Sequence, residues 1–475
     1  MLLRLSRGHC HHRFLLPLRQ LTSTAIVVVV ETGEAVSVAG AMLESLHSSS
    51  SSDTGSNSGG CKNNGGSEAA GGGGGGDGGG GGRDLAAAPS TRDLLLACAD
   101  LLQRGDFPAA RRAAEIVLSA ASARGDAVDR LAYHFARALA LRVDAKAGHV
   151  VVEPAALPAS ARSASSGAYL AFNQIAPFLR FAHLTANQAI LEAIDGARRV
   201  HIIDLDAVHG VQWPPLLQAI AERADPALGP PEVRITGAGA DRDTLLRTGN
   251  RLRAFARSIH LPFHFTPLLL SCATTPHVAG TSTAGAATTA STAATGLELH
   301  PDETLAVNCV MFLHNLGGHD ELSAFLKWVK AMSPAVVTIA EREAGSGGAD
   351  HIDDLPRRVA VAMDHYSAVF EALEATVPPG SRERLAVEQE VLAREIEAAV
   401  APSGGRWWRG IERWGAAARV AGFAARPLSA FAVSQARLLL RLHYPSEGYL
   451  VQEARGACSL GWKTRPLLSV SAWQS

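Results

Sequence analysis

Between residues 200 and 340 the chain alternates between two kinds of local sequence, and that alternation narrows its fold more than any other feature. Five short runs rich in β-formers, at 200–205, 232–236, 264–269, 305–313 and 335–340, recur with helical sequence between most of them. WPPLLQAIAERA, DTLLRTGNRLRAFARSI and HDELSAFLKWVKAM space their apolar residues as helices do. After TPLLL the pattern breaks into TTPHVAGTSTAGAATTASTAAT (274–295), which reads as a long surface insertion. A parallel strand pair needs a long crossover, and a helix supplies it, so strands alternating with helices form a parallel sheet covered on both faces. The expected class is α/β, a Rossmann-like (methyltransferase-like) and mostly parallel sheet with helices on both faces.

Helical sequence flanks this core. STRDLLLACADLLQRGDFPAARRAAEIVLSAA sets Leu94, Leu95, Cys98, Leu101 and Leu102 at helical spacing behind a Ser90 or Thr91 cap, and GDFP starts a second helix. DRLAYHFARALALRV puts Leu131, Phe135, Ala138 and Leu139 on one face, and AYLAFNQIAPFLRFAHLTANQAILEAI reads as a fourth helix. Helical pattern returns over 355–401. The expected organisation is a helical cap from about 90–195 and 355–402 over an α/β core from about 198–354 and 403–475. The tail RLLLRLHYPSEGYLVQEARGACSLGWKTRPLLSVSAW is read as antiparallel strands closing one sheet edge.

Residues 1–89 stand apart. The stretch 47–83 is nearly all Ser, Gly and Asn, too poor in apolar surface to offset its chain entropy, and is expected to be disordered. The first thirty residues carry four arginines and no acid, as organellar transit peptides do. Met42 opens a second plausible start, and a mispredicted N-terminus is the preferred reading. His9, His11 and His12 lack the further ligands a metal site needs.

With 44 basic and 45 acidic residues the chain has a formal net charge of −1, so it has no global attraction for nucleic acid or anionic membrane. No apolar stretch approaches the ~20 residues of a membrane span. The six cysteines, Cys10, Cys61, Cys98, Cys272, Cys309 and Cys458, form no C-x-x-C pair, which argues against a disulfide framework.

Asp204 ends the first strand, where open α/β sheets bind ligands. A cofactor loop there needs closely spaced glycines. Here Leu205, Asp206, Ala207, Val208 and His209 precede the first glycine, Gly210. Asp206 adds a side chain and a charge, and the bend is expected to be too crowded for a small guest. Asp204 is instead expected to accept hydrogen bonds that fix the turn. TGAGADRD (236–243) offers a G-x-G that reads as a tight turn with Asp241 or Asp243 capping the next helix. No G-x-S-x-G nucleophile elbow or zinc spacing occurs. His201, His209, His314 and His319 are candidates to converge at the sheet's carboxyl edge, with structural roles expected for them. No catalytic residue, cofactor or metal ligand is assigned.

At this point the motifs carry a resemblance. The chain resembles the GRAS proteins, plant regulators of transcription and signalling, over about residues 90–473. The central motif is met by Val200, His201, Ile202, Ile203 and Asp204, then Gly210, Gln212, Trp213 and Pro214, with His209 in place of the usual glutamine. RDLLLACADLLQRGD and TGNRLRAFARSIHLPF form the leucine-rich flanks. Pro334, the aromatics Tyr366 and Phe370, and Arg394 with Glu395 meet the next motif. Trp414, Gly415, Gly461, Trp462, Ser471, Ala472 and Trp473 make the terminal block. The layout is similar to the lateral suppressor or monoculm branch. That resemblance implies a methyltransferase-like fold with a helical cap and a nuclear regulator that promotes axillary meristem initiation, and so shoot branching or tillering. It also implies action mainly through partners: other transcriptional regulators, among them other GRAS proteins, and DNA directly or through a partner, with homo- or hetero-dimerisation left open. An exposed subset of Trp407, Trp408, Trp414, Trp462 and Trp473 would anchor such partners. Arg247, Arg251, Arg253 and Arg257, in two rows on one helix, are the candidates for phosphate contact.

Overall fold

A computed structural model describes residues 90–147, 166–270, 297–316, 319–343, 354–401, 410–454 and 456–475. The expectations for 1–89, for 274–295, for Cys272 and for Trp407 and Trp408 lie outside them.

Among the described residues nine strands form one sheet: β1 (Arg199–Asp204), β2 (Glu232–Gly239), β3 (Phe263–Leu269), β4 (Thr304–Val310), β5 (Val336–Arg342), β6 (Ala424–Arg426), β7 (Tyr449–Ala454), β8 (Ala457–Trp462) and β9 (Arg465–Gln474). Their order is β3-β2-β1-β4-β5-β9-β8-β7, with β6 also on β9. The first five are parallel, and β9 runs antiparallel to β5. Val200, Ile202 and Ile203 can all be apolar because helices cover both faces of β1, and His201 between them is buried against Thr236. The order in which strands are added reverses between β1 and β4, the switch point where such sheets bind ligands.

The helices before the sheet are α1 (Thr91–Arg104), α2 (Phe107–Ala120), α3 (Ala127–Lys146), α4 (Ser166–Ile175) and α5 (Phe178–Ala193). Ser90 closes a capping box with Asp93 at the start of α1. The segment expected as one fourth helix is two: the chain breaks at Ala176 and Pro177, where a missing N–H and the proline ring stop the helix. Within the sheet lie α6 (Trp213–Glu222), α7 (Arg242–Ser258) and α8 (His319–Ala331). Next come α9 (Leu355–Thr376), α10 (Arg382–Val387), a five-residue π turn (Glu388–Leu392) and α11 (Ala393–Val400), then α12 (Ile411–Val420) and α13 (Ala430–His443). RLLLRLH, expected as strand, is the last part of α13. Its leucines pack at helical spacing behind the Ser429 cap, and the antiparallel strands begin only at Tyr449.

Three apolar clusters hold the layers. One sheet face packs Trp213, Leu217 and Leu252, and the other packs Phe325, Trp328, Trp414 and Trp473. The third joins α1, α2 and α3 to α9, with Phe135, Tyr366 and Phe370 fully buried. Helix α5 serves two of them: Phe181 and Ala182 face the third cluster, whereas Ile190 and Leu191 pack with the Trp213 face.

Candidate functional site

The bend after β1 is tied down from inside. Trp213 Nε1 donates to Asp204 Oδ2 at 2.8 Å, and Asn308 Nδ2 donates to Asp204 Oδ1 at 3.0 Å. Asn308, on β4, also meets Gln212 and accepts from Thr338 Oγ1 of β5 at 2.9 Å. Asn187 of α5 donates to the Gln212 carbonyl at 2.8 Å. Asp204, Gln212, Trp213, Asn308 and Thr338 thus form one buried network across three strands. Burial pushes the Asp204 carboxyl above the ordinary range, and Asn308 and Trp213 pull it back. Asp204 accepts hydrogen bonds as expected. The sequence reading did not single out Asn308, Thr338 or Asn187, although a polar residue inside an apolar run is a signal of such a network. Asn308→Leu is expected to cost about 2–3 kcal/mol, seen as a lower urea midpoint, because it strands Asp204 and Gln212 in the interior.

The glycines of TGAG do not form a turn. β2 runs through Gly239, and a Cβ on Gly237 would lie 2.5 Å from the Phe265 ring and 2.7 Å from Ala207. The glycine leaves room for neighbouring packing, not for an anion. Asp241 then caps α7, accepting from Asp243 and Thr244 N–H.

The four arginines divide. Arg247 and Arg257 are exposed on α7. Arg251 donates to the His209 carbonyl at 3.1 Å and to Thr248, and Arg253 donates to the Phe265 carbonyl at 2.8 Å. Two of the candidates for phosphate contact therefore hold the fold.

Above Asp204 lies a cavity of about 230 Å³, walled by the bend, by the ends of β4, β5 and β9, and by α4, α5, α9 and the π turn. This corrects the expectation of a bend without space for a guest. The Asp204 side chain is drawn into the network below, and the helices over the sheet supply the far wall. His209 and His314 line the cavity. His201 does not: it sits mid-strand with Nε2 2.8 Å from Thr236 Oγ1, and His319 is exposed at the start of α8. His314 Nδ1 lies 2.9 Å from Glu341 Oε2, and the His209 ring stacks on Tyr169 at 3.7 Å.

The motif elements Tyr366, Arg394 and Glu395, far apart in sequence, meet on this wall. Glu395 does not pair with Arg394. It pairs with Arg342 from β5 and accepts from Tyr366 Oη at 3.1 Å. Pro334 is buried in the turn before β5, away from this group. Trp414, Trp462 and Trp473 are 2–3% exposed and belong to the core, so none of these three is in the exposed subset expected to anchor a partner. Trp473 packs against Gly415, Trp473 Nε1 donates to Ser471 Oγ at 3.0 Å, and Trp462 packs edge-on against Tyr449 at 4.9 Å. Ala472 pairs with Thr338 and Arg426 across β9.

Among the described residues no group of three His, Cys, Asp or Glu side chains is placed to hold a metal, and no helix is long and apolar enough to cross a membrane. Sheet and bend define a Rossmann-like α/β protein whose first-strand acid is committed to its own framework. The chain belongs to the GRAS domain family, whose model matches residues 91–474. It is 88% identical over 394 residues to Protein MONOCULM 1 of Oryza sativa subsp. japonica, covering 81% of this chain and 88% of that one. It is 39% identical over 420 residues to Scarecrow-like protein 18 of Arabidopsis thaliana, covering 81% and 91%. The crystal structure of SCL7 in Oryza sativa superposes with a TM-score of 0.63 at 34% identity, over 82% of this chain and all of that one.

Proposed function

We propose that the protein is a nuclear regulator of transcription that acts by binding other regulatory proteins and promotes axillary meristem initiation, and with it shoot branching and tillering. The observation that carries this reading is the 88% identity to Protein MONOCULM 1 over most of both chains. Identity at that level extends beyond the core to most of the surface, where partner contacts are made. The partners are other transcriptional regulators, GRAS proteins among them, and DNA is reached chiefly through them. Helices α2 and α3 carry the exposed apolar side chains Ile116, Val128 and Leu141, the residue type that anchors interfaces. Direct recognition of DNA is the weaker reading, because Arg251 and Arg253 bond within the fold. The protein is not assigned a catalytic step, because Asp204 is held by Trp213 and Asn308.

Inactivating the gene in its own plant is expected to reduce tiller number, and a fluorescent fusion of the full chain to collect in shoot-tip nuclei. Normal tillering, or a fusion excluded from nuclei, would sink the reading. In a gel-shift series the full chain alone is expected to give no saturable, sequence-dependent retention. Such retention, lost in Arg247→Ala/Arg257→Ala, would replace recruitment by direct binding.

A further inference from the structure

The cavity between the sheet and the helices above it carries features that packing alone does not require. Arg394 lines it, and its Nη1 is buried without a hydrogen bond among the described residues. The other charged groups on the wall are engaged: Asp204 by Trp213 and Asn308, Arg342 by Glu395, and Asp206 and Glu390 in contacts of their own. A guanidinium keeps its charge at any physiological pH, so an idle buried N–H stays unfavourable until an acceptor arrives.

Two backbone irregularities border the same space. The π turn Glu388–Leu392 supplies Val391 and Leu392 to the wall and leads into Arg394, and such turns gather at functional sites. Met311, at the end of β4, holds φ +54°, a left-handed conformation unfavourable for a methionine. The rest of the wall mixes polar groups, among them His183, His314 and Asn315, with an apolar and aromatic part in which Val369, Leu467 and Leu468 lie beside the stacked Tyr169 and His209 rings.

We propose that this cavity is a binding site for a small carboxylic acid with a flat apolar body, its carboxylate on Arg394 and its body against the Tyr169–His209 pair. Size supports a small guest, because about 230 Å³ is below the usual ligand-pocket range of roughly 300–1,000 Å³. Asp206, Glu390 and Glu395 share the wall with the unpaired Arg394 Nη1, so a guest with one negative charge meets less repulsion there than a dianion such as phosphate. A nucleoside cofactor does not fit the same wall: the bend has the single glycine Gly210 where a cofactor loop spaces several, and the Asp204 carboxylate is already used. The bound acid would bridge the sheet and the π turn. The site is separate from the partner surfaces proposed above, so either proposal can fail without the other.

Calorimetry on the full chain tests it, with naphthalene-2-carboxylate as probe and 2-naphthylmethanol as its uncharged match. The acid is expected to bind saturably at one site and to raise the thermal midpoint. The alcohol should bind about ten- to a hundredfold more weakly, the worth of one charge-assisted hydrogen bond. Arg394→Gln should weaken the acid by a similar factor and erase its advantage over the alcohol, and Arg394→Lys should restore part of it. If Arg394→Gln fails to fold by circular dichroism, the acid-to-alcohol comparison on the unaltered chain decides alone. Equal affinity for acid and alcohol would overturn the proposal. So would an unchanged affinity in folded Arg394→Gln, no heat with the acid at millimolar concentration, or tighter binding of S-adenosylhomocysteine.

Discussion

Arg130→Ala is expected to destabilise the protein by about 3–5 kcal/mol, read as a fall in the urea unfolding midpoint. Arg130 is 1% exposed on α3, with Nε 2.9 Å from Glu388 Oε2 and Nη1 2.6 Å from Glu374 Oε2 and 2.8 Å from the Gly125 carbonyl. Its guanidinium also lies over the Phe370 ring. Glu388 is fully buried, and burial pushes its carboxyl above the ordinary range while Arg130 pulls it back. Without Arg130 the nearest remaining cation is Arg384, whose Nε is 3.9 Å away. The cost comes from the charge left behind more than from the bond lost. Arg130→Met combined with Glu388→Leu, which removes both charges, should therefore recover most of the stability. A double variant as unstable as Arg130→Ala would show that packing around α3 matters and the ion pair does not. Total stabilities of folded domains are about 5–15 kcal/mol, so the single change alone brings the helical layer close to unfolding.

The second large effect is a loss of stability in mild acid. Burial holds His134, His183, His201 and His209 down to about 4, and His365 down to about 3, from the ordinary value of 6.5. In the unfolded chain these rings take up protons as the pH falls through 6.5, whereas in the folded chain they do so only near 4 or below. Stability is therefore complete above pH 6.5 and is lost as the pH falls towards 4. Burial raises the carboxyls of Asp204, Glu343 and Glu388, which act in the opposite sense over part of that window, but five imidazoles outweigh three carboxyls. The urea midpoint is expected to fall steeply between pH 7.5 and pH 5. His134, whose two ring nitrogens have no hydrogen bond among the described residues, allows a control: His134→Leu should keep the neutral-pH stability and flatten the slope. A midpoint indifferent to pH would contradict the assignment of these rings as buried and neutral.

How much of this was legible in the sequence depends on what each feature answers to. The parallel strands and their helices were readable because burial on both faces leaves mostly apolar runs, as in Val200–Ile203, where only His201 is polar. Caps such as Ser90 and Asp241 were readable because they act within three residues. Features set by tertiary neighbours were not. TGAG looked like a turn because nothing local records that Phe265 needs the space beside Gly237. RLLLRLH fits either period when read alone. Arg394 and Glu395 were readable only as adjacent motif elements, because nothing local records that Glu395 meets Arg342 across the fold. The cavity escaped detection because its far wall comes from α9 and the π turn, more than 150 residues beyond Asp204.

The placement of β9 bears on how the molecule is made. It is the last of the nine strands to leave the ribosome, yet it lies between β5 and β8 and joins the parallel half of the sheet to the antiparallel half. A nascent chain short of those ten residues exposes the flank of β5, where Val337 and Ile339 await Trp473 and Ser471. Assembly of the described sheet must therefore wait for β9. Loss of β9 alone would divide the sheet, and the exposed flank of β5 gives chaperones a reason to hold the chain until β9 pairs.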